Sequence, residues 1–535
     1  MTEVLDEVVD ATTRAVVGID AYLERLKPAS PWARDQWWRW GKRAVLSSDD
    51  TPERRAQALD AAIEEQTLQR WRRWLGEVPT LARSLRKLGA DEALREGDLF
   101  EVKRFLYQAH RLVEAAGEVA PARAIVGTVG SDAVEERLAW MEALMETIHP
   151  GHGHSARFHL ADELEAGLGD KRDALRKVRR DLRRHRKRLE EEVVRRRGGR
   201  FGFQGGYRAD EDWPFDEEEL LAPVDGVYRV QDERLQALER QAAALEAEVS
   251  KREAAARRRL SQRLQREVEE LKRLRQDLAD LDEALTKVAL RRAIEGCWAG
   301  HESEVMDGWM TIEGGRHPEM VDRLGEEVQP IEASLRGKGA VVLGPNMGGK
   351  SAFLRLIGLS VWCGQMGFPV PAARAVIGEV DRIVYVGSEE PRGPDGSEGL
   401  SSFGREVQRL VDRWESEAKR TLWLLDEPCR GTHPREGAEL AAAIVEERLG
   451  RGDLVVVATH FPELAHIEGL MTLEVQGLSE DEEALKERLQ RATELGKSLK
   501  AALREAMDFR LRESEGARVP RDGRRVARAL GLKID

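Results

Sequence analysis

The chain has 535 residues, too many for one core of ordinary size, and its 34% charged and 5% aromatic content suits several domains rich in long, solvated helices. The net charge of -12 argues against a uniformly basic nucleic-acid binder and leaves only a local basic face open. Three dispersed cysteines, Cys297, Cys363 and Cys429, exclude a disulfide framework, and no apolar run approaches the roughly 18 residues of a membrane span. The acidic start "MTEVLDEVVD" is unlike a signal peptide, so a cytoplasmic location is expected.

Residues 1–154 read as a helical, core-like domain. Stretches such as "DLFEVKRFLYQAHRLVEAA" repeat apolar positions at helical spacing, and Trp32, Trp37, Trp38, Trp40, Trp71 and Trp74 are expected to pack rather than stack on bases. The run "IHPGHGHSARFH" holds His149, His152, His154 and His159 in a glycine-broken loop. Clustered histidines can ligate a metal, but no acidic or cysteine partner lies at a tight spacing, so a solvated linker is expected.

Residues 155–300 read as a helical arm with a tip insert at about 198–229. Residues 230–290 contain no Gly and no Pro, and Leu235, Leu238, Ala242, Leu245 and Val249 step by three and four as a coiled-coil seam does. A continuous helix of that length would extend about 90 Å, with the shorter preceding helix as its antiparallel partner. Residues 171–200 hold 15 Lys/Arg against 5 Asp/Glu, whereas residues 210–219 hold seven acids around Trp213 and Phe215. A basic shaft therefore leads to an acidic, aromatic tip with the glycines of a small hairpin-bearing insert.

From residue 301 to 535 short β-rich runs, "AVVLG", "RIVYVG", "TLWLLD" and "LVVVATH", alternate with helical segments and predict a mainly parallel sheet, with a charged helical insertion at about 479–506. Gly344-Pro345-Asn346-Met347-Gly348-Gly349-Lys350-Ser351 fits the spacing G-x-x-x-x-G-K-[ST] between a strand and a helix. Glycines let backbone N–H groups curl around a polyphosphate, Lys350 supplies a point charge and Ser351 can ligate Mg²⁺. At the end of "TLWLLDEP", Asp426 can hold Mg²⁺ and Glu427 can polarise water for attack on a γ-phosphate, which predicts hydrolysis of a nucleotide rather than binding alone. A third strand ends in Thr459 and His460, where a polar tip could sense that phosphate.

Together these residues resemble the MutS family of ATPases. "GPNMGGKS" matches that family's loop, "DEPCRGTHPREG" resembles its Walker B segment, and "ATHFPEL", "IEGGRHPEM", "GFPVPA", "GLSSFGRE" and "MDFRL" resemble further ordered elements of its ATPase domain. The resemblance implies an ABC-type α/β P-loop ATPase domain with a parallel-rich sheet, preceded by a mainly α-helical core and a long antiparallel arm. It also implies a homodimer with composite ATP sites, in which Lys350 and Ser351 act on one nucleotide while Ser401 reaches the partner's. Asp426 would take the magnesium role, Glu427 the water-activating role and His460 the γ-phosphate role, with His317 near the base. The departures concern DNA coupling. The chain begins in helices where mismatch-repair members carry a Phe-x-Glu wedge domain, the family's usual carboxy-terminal dimerisation tail is not seen, its tip is acidic where phosphate contact needs basic residues, and Tyr385-Val386-Gly387 shortens an Arg-Val-Gly stretch. Two expectations follow. One is ATP-driven arm movement on structured or non-mismatch DNA through the basic shaft; the other is a motor for a protein partner met by the acidic tip, as in MutS-related reactivating partners of cobalamin-dependent aminomutases.

Overall fold

The structure is a computed structural model that describes residues 8–34, 51–127, 131–153, 158–202, 206–208, 221–224, 227–301, 308–345, 348–387, 402–414, 418, 420–496, 498–514, 522–530 and 532. It divides into two compact units, one formed by Glu77–Glu118 and Val126–Leu278, the other by Met1–Gly76, Val119–Ile125 and Ala279–Asp535.

The first unit is built on helices. Glu96–Gly117 and Ser131–Ile148 pack together, and Leu168–Arg197 pairs with Glu233–Arg266. The pair is antiparallel, because Arg172 meets Glu253, Arg179 meets Glu246 and Arg186 meets Glu239, one number rising as the other falls. Its seam buries Leu168, Leu175, Val178, Ala242 and Val249, with Leu238 and Leu245 packed against them. Lys177, Arg180, Arg184, Lys187, Arg188 and Arg195 are all exposed, and at 3.6 residues per turn they form a stripe on the face opposite that seam. At the far end of the pair two short hairpins form, β1 (Arg200–Phe201) with β2 (Tyr207–Arg208) and β3 (Leu221–Val224) with β4 (Val227–Val230). The acidic cluster at 210–219 lies outside the described residues.

Two expectations are corrected in this unit. The long second helix is interrupted at Glu267, between Glu233–Arg266 and Val268–Ala293. Its N–H turns back to the Leu264 carbonyl at 3.0 Å, a tighter turn than the helix on either side, and the Trp140 indole donates to its carboxylate at 3.0 Å. The histidine run is no solvated linker either. His149 and Lys103 are each 1% exposed, and the Lys103 ammonium lies 2.7 Å from His149 Nδ1 while donating to the His152 carbonyl at 2.7 Å. His149 Nε2 is 3.1 Å from His159 Nδ1. A buried ammonium needs acceptors, and the histidine loop folds inward to supply them. His154 lies outside the described residues.

The second unit is organised by sheets. A four-stranded sheet runs β5 (Gly300–His301), β9 (Arg374–Ile377), β6 (Gly308–Gly315), β7 (Ile331–Arg336). A six-stranded sheet runs β10 (Arg382–Val386), β11 (Thr421–Asp426), β12 (Leu454–Thr459), β8 (Gly339–Leu343), β13 (Leu470–Leu478), β14 (Met507–Glu513). All its pairings are parallel except that of β13 with β14. Successive residues point to opposite faces, so Ala340, Val342, Leu422, Leu424, Val456 and Tyr385 join one core while Val341, Leu343, Trp423, Leu425, Val455 and Val457 join the other. Helix Lys350–Gln365 covers the first face and helix Pro434–Gly450 the second. Residues 479–506 form helices Glu482–Glu494 and Leu499–Glu505 between β13 and β14, and Ser479 N–H closes on the Ala506 carbonyl at 2.9 Å.

The amino-terminal segment belongs to this unit. Val9 bridges Ile383 in parallel, the Val8 carbonyl accepts from Ile383 N–H at 2.9 Å, and Val16, Val17, Ile19 and Tyr22 enter the first core. The sheet edge at β10 is thereby covered by chain some 370 residues away in sequence.

Candidate functional site

Parallel strands deliver their carboxy ends to one rim, and the pairing aligns them: Leu343 faces Thr459, and Asp426 faces Ala458. The chain leaves fully buried β8 at Gly344 and Pro345 and re-enters helix at Lys350. Gly349 caps that helix with φ of 82°, a left-handed conformation that suits glycine. The helix therefore begins at the rim with N–H groups that have no partner within the helix and with the positive end of its dipole, a setting that favours an anion. Ser351 sits half-buried in its first turn.

Lys350 is buried, and its ammonium donates to the carbonyls of Gly344 at 2.9 Å and Pro345 at 3.1 Å, with Glu427 Oε1 at 3.6 Å. Burial pushes its pKa down, opposed by the nearby Glu427 and Asp426 carboxylates. Asp426 continues the alternation of Leu422 and Leu424 at the end of β11, is 5% exposed, and accepts from Tyr385 Oη at 2.8 Å. Glu427 turns out of the strand with φ of 50°, and Cys429 follows with φ of 61°. Two non-glycine residues in the left-handed region within one turn mark local strain, which places a carboxylate where a relaxed strand end would not. Glu427 N–H is secured by the Ala458 carbonyl at 2.8 Å, and its Oε2 accepts from Arg430 at 2.6 Å.

The structure thus brings Lys350, Asp426 and Glu427 together. His460 is exposed just past β12, its ring 4.4 Å from that of Phe461, while Thr459 is buried and accepts from Phe461 N–H at 3.1 Å. His317 lies against the amino-terminal segment, where Nε2 donates to the Val17 carbonyl at 3.0 Å. Burial pushes its pKa down to about 4, so the ring is neutral. Asn346, Met347 and Ser401 lie outside the described residues. Among the described residues no group of three or more His, Cys, Asp or Glu is placed to hold a metal ion. Sequence reading did not single out Tyr385 or Arg430 as neighbours of the two acids. The signal for Tyr385 was its position on an adjacent strand, and for Arg430 only the turn after Glu427.

Residues 340–502 match the MutS domain V family. The chain is related to MutS and MutS2 through this region. It is 37% identical to the DNA mismatch repair protein MutS of Thermotoga petrophila over 165 residues, 30% of this chain and 20% of that protein. It is 35% identical to endonuclease MutS2 of Geobacillus kaustophilus over 196 residues, 36% of this chain and 24% of that protein, and 37% identical to MutS of Granulibacter bethesdensis over 201 residues, 36% and 21% respectively. The chain thus spans about a fifth to a quarter of the length of these curated relatives. The MutS domain V match includes residues 340–343 of β8, Lys350, Asp426, Glu427 and His460, and the helical unit lies outside it.

Proposed function

We propose that this chain is a MutS-related ATP hydrolase that uses nucleotide state to open and close its helical arm on DNA, of structured or non-mismatch form. The observation that carries the reading is the Lys350 ammonium beside Glu427, on the first residue of an anion-favouring helix, with Asp426 next to Glu427 in the chain. Gly344 to Gly349 and the helix N–H groups would bind the phosphates, and Lys350 would exchange its carbonyl partners for their terminal oxygens. Ser351 and Asp426 would hold magnesium. A hydroxyl and a carboxylate are hard oxygen donors that suit this ion, which takes one or two protein ligands and completes its shell with phosphate and water. When bound, magnesium would neutralise charge on the β- and γ-phosphate oxygens. Glu427 would orient and polarise the attacking water, His460 would sense the γ-phosphate, His317 would lie towards the base, and Ser401 would complete the site of a second copy in a homodimer.

The basic stripe supports DNA as the target. Arg179 and Arg186 flank the seam and are neutralised by Glu246 and Glu239, but Lys177, Arg180, Arg184, Arg188 and Arg195 face solvent, a linear array suited to a phosphate backbone. A second reading rests on the seven acids at 210–219, which would repel phosphate and favour a protein partner such as a cobalamin-dependent aminomutase. Fluorescence anisotropy with homoduplex, mismatched and branched DNA at two salt concentrations, with and without ATP, separates the two. Binding that weakens steeply with salt and stimulates ATP turnover is expected. An absence of binding at low salt, with no DNA raising turnover, removes the DNA reading.

A further inference from the structure

We infer that Tyr385 is a positioning residue for Asp426, setting the orientation in which that carboxylate meets magnesium; this rests on the ATPase reading above. Tyr385 and Asp426 stand on adjacent parallel strands, and the register pairs Tyr385 with Leu424. Asp426, two residues on, is therefore the diagonal neighbour on the same face, within reach of an aromatic side chain but not of a short one. Tyr385 is fully buried, and its Oη donates to Asp426 Oδ2 at 2.8 Å. The backbone keeps the path open: a Cβ at Gly387 would lie 2.8 Å from both Tyr385 Oη and Asp426 Cβ.

The other end of Tyr385 is anchored from outside the sheet. Its N–H donates to Thr13 Oγ1 at 3.0 Å, and Thr13 Oγ1 donates to Asp10 Oδ2 at 2.8 Å. Arg413, on helix Ser402–Trp414, lies 3.4 Å from the same Asp10 oxygen. Polar contacts thus tie the Tyr385 backbone to the amino-terminal segment and that helix, while its ring carries Oη across to the rim carboxylate. A carboxylate offers about four lone-pair positions. The phenol occupies one and limits rotation of the group, leaving the others for the ion. Hydrogen bonds of this kind, made to a group that ligates a metal, typically govern about 10- to 100-fold in metal affinity or activity.

The test uses the full chain as wild type, Tyr385→Phe and Thr13→Val. Phenylalanine keeps the ring's packing and loses only the O–H, whereas valine at 13 loosens the anchoring segment without touching Oη. Equilibrium binding of a fluorescent, non-hydrolysable ATP analogue is measured across a Mg²⁺ titration, beside thermal unfolding without nucleotide. Tyr385→Phe is expected to need about 10-fold more Mg²⁺ for half-maximal binding, with an unfolding midpoint near that of wild type. Thr13→Val is expected to lower the unfolding midpoint and leave the Mg²⁺ requirement in place. An unchanged requirement in Tyr385→Phe overturns the inference, as does an equal shift in Thr13→Val, since strand packing would then account for both. Wild-type protein that neither binds the analogue nor hydrolyses ATP overturns the ATPase reading instead.

Discussion

In the helical unit, Arg179 and Arg186 meet Glu246 and Glu239 with each side chain about half exposed. In the sheet unit, Lys350 meets Glu427 with 5% and 15% exposure, and Asp426 takes a buried phenol hydrogen bond. The residue types are similar and the environments are not. Charges in water attract weakly and can be lost at little cost, while a buried charge stripped of its partner is left in a medium that solvates it poorly. The arm can therefore carry a surplus of arginine outward as a surface. The rim instead sets its buried ammonium among carbonyls and carboxylates.

The comparison can be tested most severely at the rim. Lys350→Ala is expected to abolish ATP turnover and weaken nucleotide binding. Glu427→Gln is expected to retain binding, to trap a dimer with ATP, and to lose about 10²- to 10⁴-fold in turnover, the range that a positioned general base supplies. Steady-state hydrolysis beside sedimentation with ATP reads both. Undiminished hydrolysis in Glu427→Gln would remove it from the water-activating role.

A smaller effect tests burial at His317. Its pKa falls from 6.5 to about 4 on folding, so the unfolded chain binds the extra proton between those values. The stability held by the neutral ring is present above pH 6.5 and is lost as pH falls through about 4. At most this amounts to about 3 kcal/mol. His317→Gln should be less stable than wild type at pH 7.5, with the gap closing towards pH 4.5 in denaturant melts. A gap that stays constant across this range would show that His317 is not held neutral by the fold.

The smallest effect belongs to the arm. Arg186→Ala breaks an exposed pair with Glu239 and should change stability by no more than about 0.5 kcal/mol. A loss of several kcal/mol would mean that the arm's flanking pairs behave like the rim's, and the contrast between the two units would collapse.

Much of the architecture follows from short-range patterns. Three-and-four spacing marks the arm seam, period-two apolar runs mark the rim strands, and the spacing of the phosphate-type loop locates Lys350. These signals are legible because each depends on residues a few positions apart. The helical amino-terminal region and the parallel-rich sheet after it were readable on this basis, as were the three rim residues that meet. The family resemblance was carried by the same local runs.

What needed the tertiary structure depends on partners distant in sequence. At the break the Glu267 carboxylate meets Trp140, and the inward histidine loop meets the buried Lys103. The left-handed turn at Glu427 is secured by Ala458 from the next strand. Tyr385 became a neighbour of Asp426 only through strand order and register, and Thr13, 372 residues earlier, became its anchor only because the amino terminus closes the sheet edge. Sequence by itself determined which elements form and which carry chemical groups, since propensity and periodicity are local. Tertiary structure decided which of those groups are buried together, because burial is set by whatever packs above them.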